Sequence, residues 1–445
     1  MKKFLHNWIF HCIAFVMFST LLAAFLSTAS NLTLSTLIAY SASVIAYSLM
    51  LTGTFIASRP RFIEKHVGLP KMYEVHAVMT VYLTILVFVH IAIMWRGFAN
   101  VFRSPATIFG YIGTISILIG MLTGMLSLSG MFVNKNKTLK NWKDNVFNRE
   151  VMLWLHRIFA ITAVVSVYLQ MYFIGFLRTN TLYMALLTIY SVAVLGYYFI
   201  WKLKTALLPK YIVSDIYKAT PSLWVLEFKP KNGKLTKYSP GDYFFIRFKK
   251  GDITKEAHPF STSSAITKDH SDSIQFMIKE AGDWTKSLAN IKVNDIATLE
   301  GAYGEFYPSE ARDSEYPFVL MGGGIGLTPN LSILRSEIDK KSQREIHLVW
   351  ALSWENDMFM VDELEEYKKV NPNFSYHIIF SNEKVEGYPY GFISHQYLKE
   401  IGVTDVYESA RFFICGPDVM MDATKKVLLN DGVSIDNIRV DEFGF

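Results

Sequence analysis

The sequence predicts a multidomain chain: a six-helix transmembrane bundle, then a cytosolic antiparallel β-barrel, then an α/β domain built on a parallel sheet. Three observations predict this. Of 39 acidic residues only four, Glu64, Glu74, Asp144 and Glu150, fall within positions 1–200, so the front of the chain has a lipid-facing composition and the back a water-facing one. Six apolar runs of membrane-crossing length lie in that front part. Beyond Tyr211 the pattern turns to short strands and turns, and beyond Pro317 to strand, glycine loop and helix. The expected domains are 1–204, 205–312 and 313–445.

The spans are expected near Trp8–Phe25, Leu34–Ile56, Tyr73–Trp95, Ala106–Val133, Val151–Leu177 and Leu182–Trp201. An apolar core of about 30 Å needs roughly 20 helical residues. Only helices that satisfy their own backbones are stable there. Basic residues set the orientation. Lys2, Lys3, Arg59, Arg61, Lys65, Lys71, Lys135, Lys137, Lys140, Lys143, Arg149, Lys202 and Lys204 share one side, and Arg96, Arg103 and Arg178 the other. The positive-inside rule therefore places both termini in the cytosol. The first run is read as a span, since a cleaved signal peptide there would leave an odd number of crossings. The net charge of +5 lies mostly in these short loops, which gives no sign of a nucleic-acid partner. The two cysteines, Cys12 and Cys415, build neither a disulfide framework nor a thiolate cluster.

Polar side chains in lipid are costly, so each one there marks a candidate function. The third span carries His76 and His90, fourteen residues or almost four turns apart. Both imidazoles thus share a face, separated by about 21 Å along the axis. His156, near the start of the fifth span, reaches the depth of His76. Two neutral imidazoles from facing helices suit a six-coordinate b-type haem. His6, His11 and His66 lie at or beyond the inner interface and are read as headgroup or backbone partners. The partner of His90 should lie thirteen or fourteen residues beyond His156, where Leu169 and Gln170 stand, with Met171 about 60° further round. One haem is expected. A second is either absent, five-coordinate on His90, or weakly closed by Gln170 or Met171.

Four constellations carry chemistry in the back half. His258-Pro259-Phe260-Ser261-Thr262-Ser263-Ser264 is a hydroxyl-rich strand end suited to the edges of a flavin ring, with His258 toward a phosphate. Ala281-Gly282-Asp283-Trp284-Thr285 opens a short helix whose first amides suit a pyrophosphate. Gly322-Gly323-Gly324-Ile325-Gly326-Leu327-Thr328-Pro329 follows an apolar strand and precedes a helix, the setting of a phosphate cradle. Finally, Cys415-Gly416-Pro417 ends a buried strand at the carboxyl edge of a sheet, where ligands bind in this architecture.

In this order the motifs resemble the ferric reductase and NADPH oxidase superfamily of transmembrane flavocytochromes b, over nearly the whole chain. The resemblance implies FAD on the barrel, NADH or NADPH on the parallel sheet, and haem between the third and fifth spans. It also implies that Phe445, or failing that Phe443, covers the flavin, while Cys415, Gly416 and Thr328 position the nicotinamide. Two departures stand out. The outer ligand on the fifth span is missing. In addition, Trp350-Ala-Leu-Ser-Trp-Glu-Asn-Asp357 has no Lys or Arg for a 2′-phosphate, whereas Glu355 suits a free ribose and favours NADH. The implied activity is electron transfer from cytosolic NAD(P)H across the membrane to an external acceptor, ferric iron or oxygen, the latter giving superoxide. Two competing readings are a reductase that delivers electrons to a quinone or partner protein within the membrane, and a non-enzymatic haem carrier.

Overall fold

A computed structural model describes residues 2–95, 104–128, 149–249, 253, 256–267 and 272–441. They form two compact units that meet in sequence at Ala206 and Leu207. The first unit holds six helices long and apolar enough to cross a membrane. They are α1 (Lys2–Leu26), α2 (Leu34–Ala57), α3 (Leu69–Met94), α4 (Pro105–Leu128), α5 (Arg149–Phe173) and α6 (Thr181–Ala206).

Local chemistry sets the ends of these helices. Thr33 caps α2 through its hydroxyl to the Thr36 amide. Gly68, at φ 80°, turns the chain into α3, with Pro70 in its first turn. That turn starts α3 at Leu69, four residues before the expected Tyr73. The fifth span breaks at Ile174, and Gly175–Arg178 form a separate helical turn.

Within the bundle α2 lies along α3 and α4 along α5, while α3 and α4 touch sparsely. Glycines explain the closeness of the second pair. An added Cβ on Gly113 would stand 2.9 Å from Val167, and one on Gly124 would stand 3.0 Å from His156. Small residues let helix backbones approach in lipid, where packing and hydrogen bonds drive association. Hydroxyls are satisfied locally: Ser48, Thr52, Thr84 and Thr123 each donate to the carbonyl four residues earlier. Tyr47 and Ser191 join α2 to α6 at 2.7 Å, and the Asn180 amide donates to the Ala24 carbonyl of α1 at 2.7 Å.

The second unit contains two sheets. Strands β1 (Lys210–Thr220), β2 (Leu223–Pro230), β3 (Tyr243–Phe248), β4 (His258–Ser261), β5 (Ile274–Lys279) and β6 (Ile296–Tyr303) form an antiparallel sheet in the order β4-β3-β6-β1-β2-β5. An isolated bridge, Thr262 to Phe276, joins its two ends. Phe228, Phe244, Phe248 and Phe276 fill its core. Pro259 lies in β4 at the end of the strand order, a place where a residue without an N–H is tolerated.

The other sheet is parallel, in the order β11-β10-β7-β8-β9. Its strands are β7 (Phe318–Gly323), β8 (Ile346–Leu352), β9 (Phe374–Phe380), β10 (Arg411–Cys415) and β11 (Ile438–Asp441). Helices α7 (Leu327–Asp339), α8 (Val361–Val370), α9 (His395–Glu400) and α10 (Asp418–Asn430) connect them. Along β7, Phe318 and Leu320 join one core while Val319 and Met321 join another. A central strand covered on both faces must read as an unbroken apolar run, which Phe318–Met321 does.

Candidate functional site

The dinucleotide edge grows from the strand order. From β7 the chain steps outward to β8 and β9, then returns to the other side of β7 for β10 and β11. The reversal between β7 and β10 leaves a crevice at their carboxyl ends, where open parallel sheets bind ligands. Pairing of Cys415 with Gly322 brings the two predicted glycine turns together there. The turns touch backbone to backbone. A Cβ on Gly326 would lie 2.5 Å from both the Cys415 carbonyl oxygen and the Gly416 Cα. One on Gly416 would lie 3.0 Å from Gly323, and one on Gly323 would lie 2.9 Å from Pro417. Gly322 leaves room for Leu327. Gly324 differs: at φ +56° it has open space beside it. The glycine run therefore divides into packing positions and one position facing free volume.

Neighbouring side chains hold this loop. The Trp350 indole donates to the Gly324 carbonyl at 3.0 Å, and the Asn330 amide donates to the Met321 carbonyl at 2.9 Å. Asn330 Oδ1 is buried with no hydrogen-bond partner among the described residues. Thr328 is buried, and its hydroxyl donates to the Ile325 carbonyl at 2.7 Å. Cys415 is buried, and burial, followed by the Asp441 carboxylate, pushes its thiol pKa well up. It is thus a neutral thiol rather than a nucleophile. Glu355 lies exposed just beyond β8, its amide donating to Glu383 at 2.9 Å. Trp350 and Asn330 escaped the sequence reading because an indole in an apolar strand and an amide in a helix look like ordinary core and surface.

On the antiparallel sheet, β4 pairs Ser261 with Tyr243 and His258 with Ile246. The rings of His258 and Phe260 flank Trp284, with centroids at 4.6 and 5.4 Å. His258 Nε2 lies 3.6 Å from Glu256. His258 Nε2, Ser261 Oγ and Trp284 Nε1 are buried without hydrogen-bond partners among the described residues. Such orphaned polar atoms are uncommon and point to a missing partner, so the strand end fits a polar-edged ring system such as a flavin.

Two predicted positions take a different part. The Ser263 hydroxyl donates to Gln275 at 2.9 Å, and the buried Arg335 reaches the Ser263 carbonyl at 3.0 Å and Glu363 at 2.7 Å. Ser263 is therefore a brace between the sheet and α7. The amides of Ala281 and Gly282 donate to the Thr285 hydroxyl at 2.8 and 3.0 Å, which occupies them locally. Phe443 and Phe445 lie outside the described residues.

Three histidines of the bundle share one arrangement. Nδ1 of His76 meets the Gly53 carbonyl at 3.0 Å, that of His90 meets Ala39 at 2.9 Å, and that of His156 meets Gly120 at 2.8 Å. A carbonyl only accepts, so each Nδ1 carries the proton and each Nε2 is left as a lone-pair donor, the form a metal requires. Two ring nitrogens each about 2 Å from one metal put the ring centres roughly 6 Å apart. The rings of His76 and His156 are 6.1 Å apart. The spacing would let the two imidazoles hold one metal ion between them.

Fourteen residues along, the register repeats with a substitution. Gly124 makes room for His156, and Gly110 makes room for Gln170, whose Nε2 would lie 2.8 Å from an added Cβ. Gln170 and His90 line one cavity. Met171, the other candidate, is corrected: it is buried and accepts the Tyr183 hydroxyl at 3.2 Å, turned toward α6. The matched glycines were visible in the sequence, but only the pairing of α4 with α5 gives them meaning.

Comparison with known proteins adds to this geometry. Residues 222–323 match the FAD-binding domain family and residues 320–426 match the oxidoreductase NAD-binding domain family. The chain thus carries an FAD-binding and an oxidoreductase NAD-binding domain after six helices long and apolar enough to cross a membrane. It is 30% identical over 172 residues to a component of the Na(+)-translocating NADH-quinone reductase of Idiomarina loihiensis, covering 37% of this chain and 41% of that one. The corresponding component from Pseudomonas aeruginosa is 30% identical over 171 residues, 37% of this chain and 40% of that one. The chain therefore spans about two fifths of the length of these curated relatives. The FAD/NAD-binding domain of nitric oxide dioxygenase from Vibrio cholerae is 21% identical with a TM-score of 0.47, covering 53% of this chain and 98% of that one.

These relatives correct the expected acceptor. The resemblance implies ferric iron or oxygen outside the membrane as acceptor, whereas the relatives are named as NADH-quinone reductase components. The competing reading, delivery within the membrane, agrees with them.

Proposed function

We propose that the chain is a membrane-bound NADH reductase that delivers electrons to a quinone within the bilayer. In this reading 1–204 is the haem-binding membrane domain, 205–312 the FAD domain and 313–445 the NADH domain, with both termini cytosolic. The observation that carries it is the imidazole pair: His76 and His156, each anchored through Nδ1, stand 6.1 Å apart inside an apolar bundle. A tethered soluble reductase has no use for that pair.

When bound, FAD and a b-type haem supply the exchange between a two-electron hydride donor and one-electron transfer. The chain supplies alignment. His258, Pro259, Phe260 and Ser261 would hold the flavin edge, with Gly282, Trp284 and Thr285 beside them and Ser263 bracing the strand from behind. Gly322, Gly323, Gly324 and Gly326 would shape the pyrophosphate cradle. Thr328, Cys415, Gly416 and Pro417 would seat the nicotinamide, and Glu355 would accept from a ribose hydroxyl. Phe445, or Phe443, would shield the flavin until NADH arrives. His76 and His156 would ligate the haem iron through Nε2.

The test is a reduced-minus-oxidised spectrum with haem quantitation on purified protein, beside NADH-driven reduction of menadione and of an impermeant ferric chelate. One haem per chain is expected, lost in His76→Ala and in His156→Ala, together with menadione reduction. Colourless wild-type protein, or reduction of the chelate but not of menadione, would overturn the proposal.

A further inference from the structure

We infer that the cavity beside His90 is the quinone headgroup site, with Gln170 and His90, among its polar lining residues, as the contacts to the ring oxygens. The inference rests on the quinone-reductase reading above and gives it a place. The cavity lies among α2, α3, α4 and α5, with a volume of ≈ 420 Å³, within the range of small-molecule sites. It sits along the sparse seam between the two tightly packed helix pairs. Its walls are mainly apolar, among them Leu83, Val87, Ile117 and Val167, and Trp95 and Tyr111 stand edge to face at one end.

The two polar groups have complementary senses. Gln170 makes no hydrogen bond among the described residues, and Gly110 opens the space its amide occupies. That amide donates to a ring carbonyl. His90, protonated at Nδ1 toward Ala39, offers a bare Nε2 that accepts a hydroxyl. A quinone presents carbonyls and its reduced form hydroxyls, so one group favours each redox form. A bis-imidazole haem in this cavity would require a fourth imidazole where the register of α5 places an amide. A saturated acyl chain would leave both polar groups unpaired, which is costly in a dry site.

The chemistry balances with the substrate already named. NADH, one proton and the quinone give NAD⁺ and the quinol. NADH gives up its electron pair and one proton on the flavin side, the quinone takes up two electrons with two protons from the medium, and both ring C=O bonds become C–OH.

The experiment uses the full chain in detergent with menadione as the probe. Binding is read by quenching of tryptophan fluorescence, since Trp95 lines the cavity, and turnover by the KM for menadione. Gln170→Leu should weaken both about five- to tenfold, the loss of one hydrogen bond. Val87→Phe, which takes up cavity volume while leaving Gln170 and His90 in the sequence, should abolish binding. Haem and flavin content report that each variant is folded. Wild-type menadione affinity in both variants would overturn the site while leaving the quinone-reductase reading intact. Two haems per chain, one lost in His90→Ala, would overturn it by giving the cavity to a haem. Failure of wild-type protein to reduce menadione would instead bring down the functional reading itself.

Discussion

Replacing Gly326 with alanine tests the most constrained contact in the nucleotide domain. Its new Cβ would stand 2.5 Å from the Cys415 carbonyl oxygen and from the Gly416 Cα, where ordinary contact begins at 3.4 Å. Both opposing atoms are backbone, so no side chain can rotate away, and the turns after β7 and β10 must part by about 0.9 Å. Overpacking of this kind costs about 1–3 kcal/mol. The functional penalty is larger, because a ~1 Å misplacement of positioning groups costs up to about 100-fold in rate. Steady-state NADH oxidation with a soluble dye should therefore show kcat/KM for NADH reduced ten- to hundredfold. Flavin content should hold, since the β4 strand end does not meet this glycine. Gly324→Ala supplies the contrast. Nothing lies within 4 Å of its added Cβ, and its φ of +56° costs only the left-handed strain, about 1–2 kcal/mol. Unchanged NADH kinetics in Gly326→Ala would refute the view that close approach of these turns builds the site.

Two further outcomes follow from the same unit. Glu355→Arg should shift the NADH-to-NADPH preference toward NADPH by about tenfold or more, the worth of one charge-assisted hydrogen bond. Equal ratios of kcat/KM in variant and wild type would remove Glu355 from the ribose site. Burial, then the neighbouring His347, lowers the His377 pKa from 6.5 to about 4. The unfolded chain binds that proton more readily, so His377 costs no stability above pH 6.5. Stability should fall as pH drops from 6.5 toward 4 and then level off. Thermal midpoints across that range should flatten in His377→Gln, and identical slopes would clear His377 of the effect.

How much of this protein was legible in its sequence differs between its two halves. The six spans could be read because lipid admits no unpaired backbone and few charges, so a membrane helix announces itself by length and composition alone. The buried run Phe318–Met321 followed by glycines was equally plain, since a doubly covered parallel strand has no polar alternation. His76 and His156 were paired from spacing and depth, and the structure brings their rings to 6.1 Å. The position of Gln170 at the fourth imidazole's place was also readable, as fourteen residues bring a helix face round again.

Other features needed the third dimension. The sequence treats the glycines of 322–326 alike, but the pairing of β7 with β10 makes Gly326 a packing residue and leaves Gly324 beside open space. It marked Ser263 as a ligand contact, while Arg335, 72 residues away, claims its carbonyl for the join to α7. It left Met171 open as a partner of His90, and the rotation of α5 against α6 commits that thioether to Tyr183. The sequence by itself determined the six apolar helices and the change to strands behind them, though not every boundary, because periodicity and apolar length are local properties. Only the tertiary structure decided which polar atoms were spent on the fold and which were left for a ligand, because hydrogen bonds and van der Waals contacts between distant segments have no local signature.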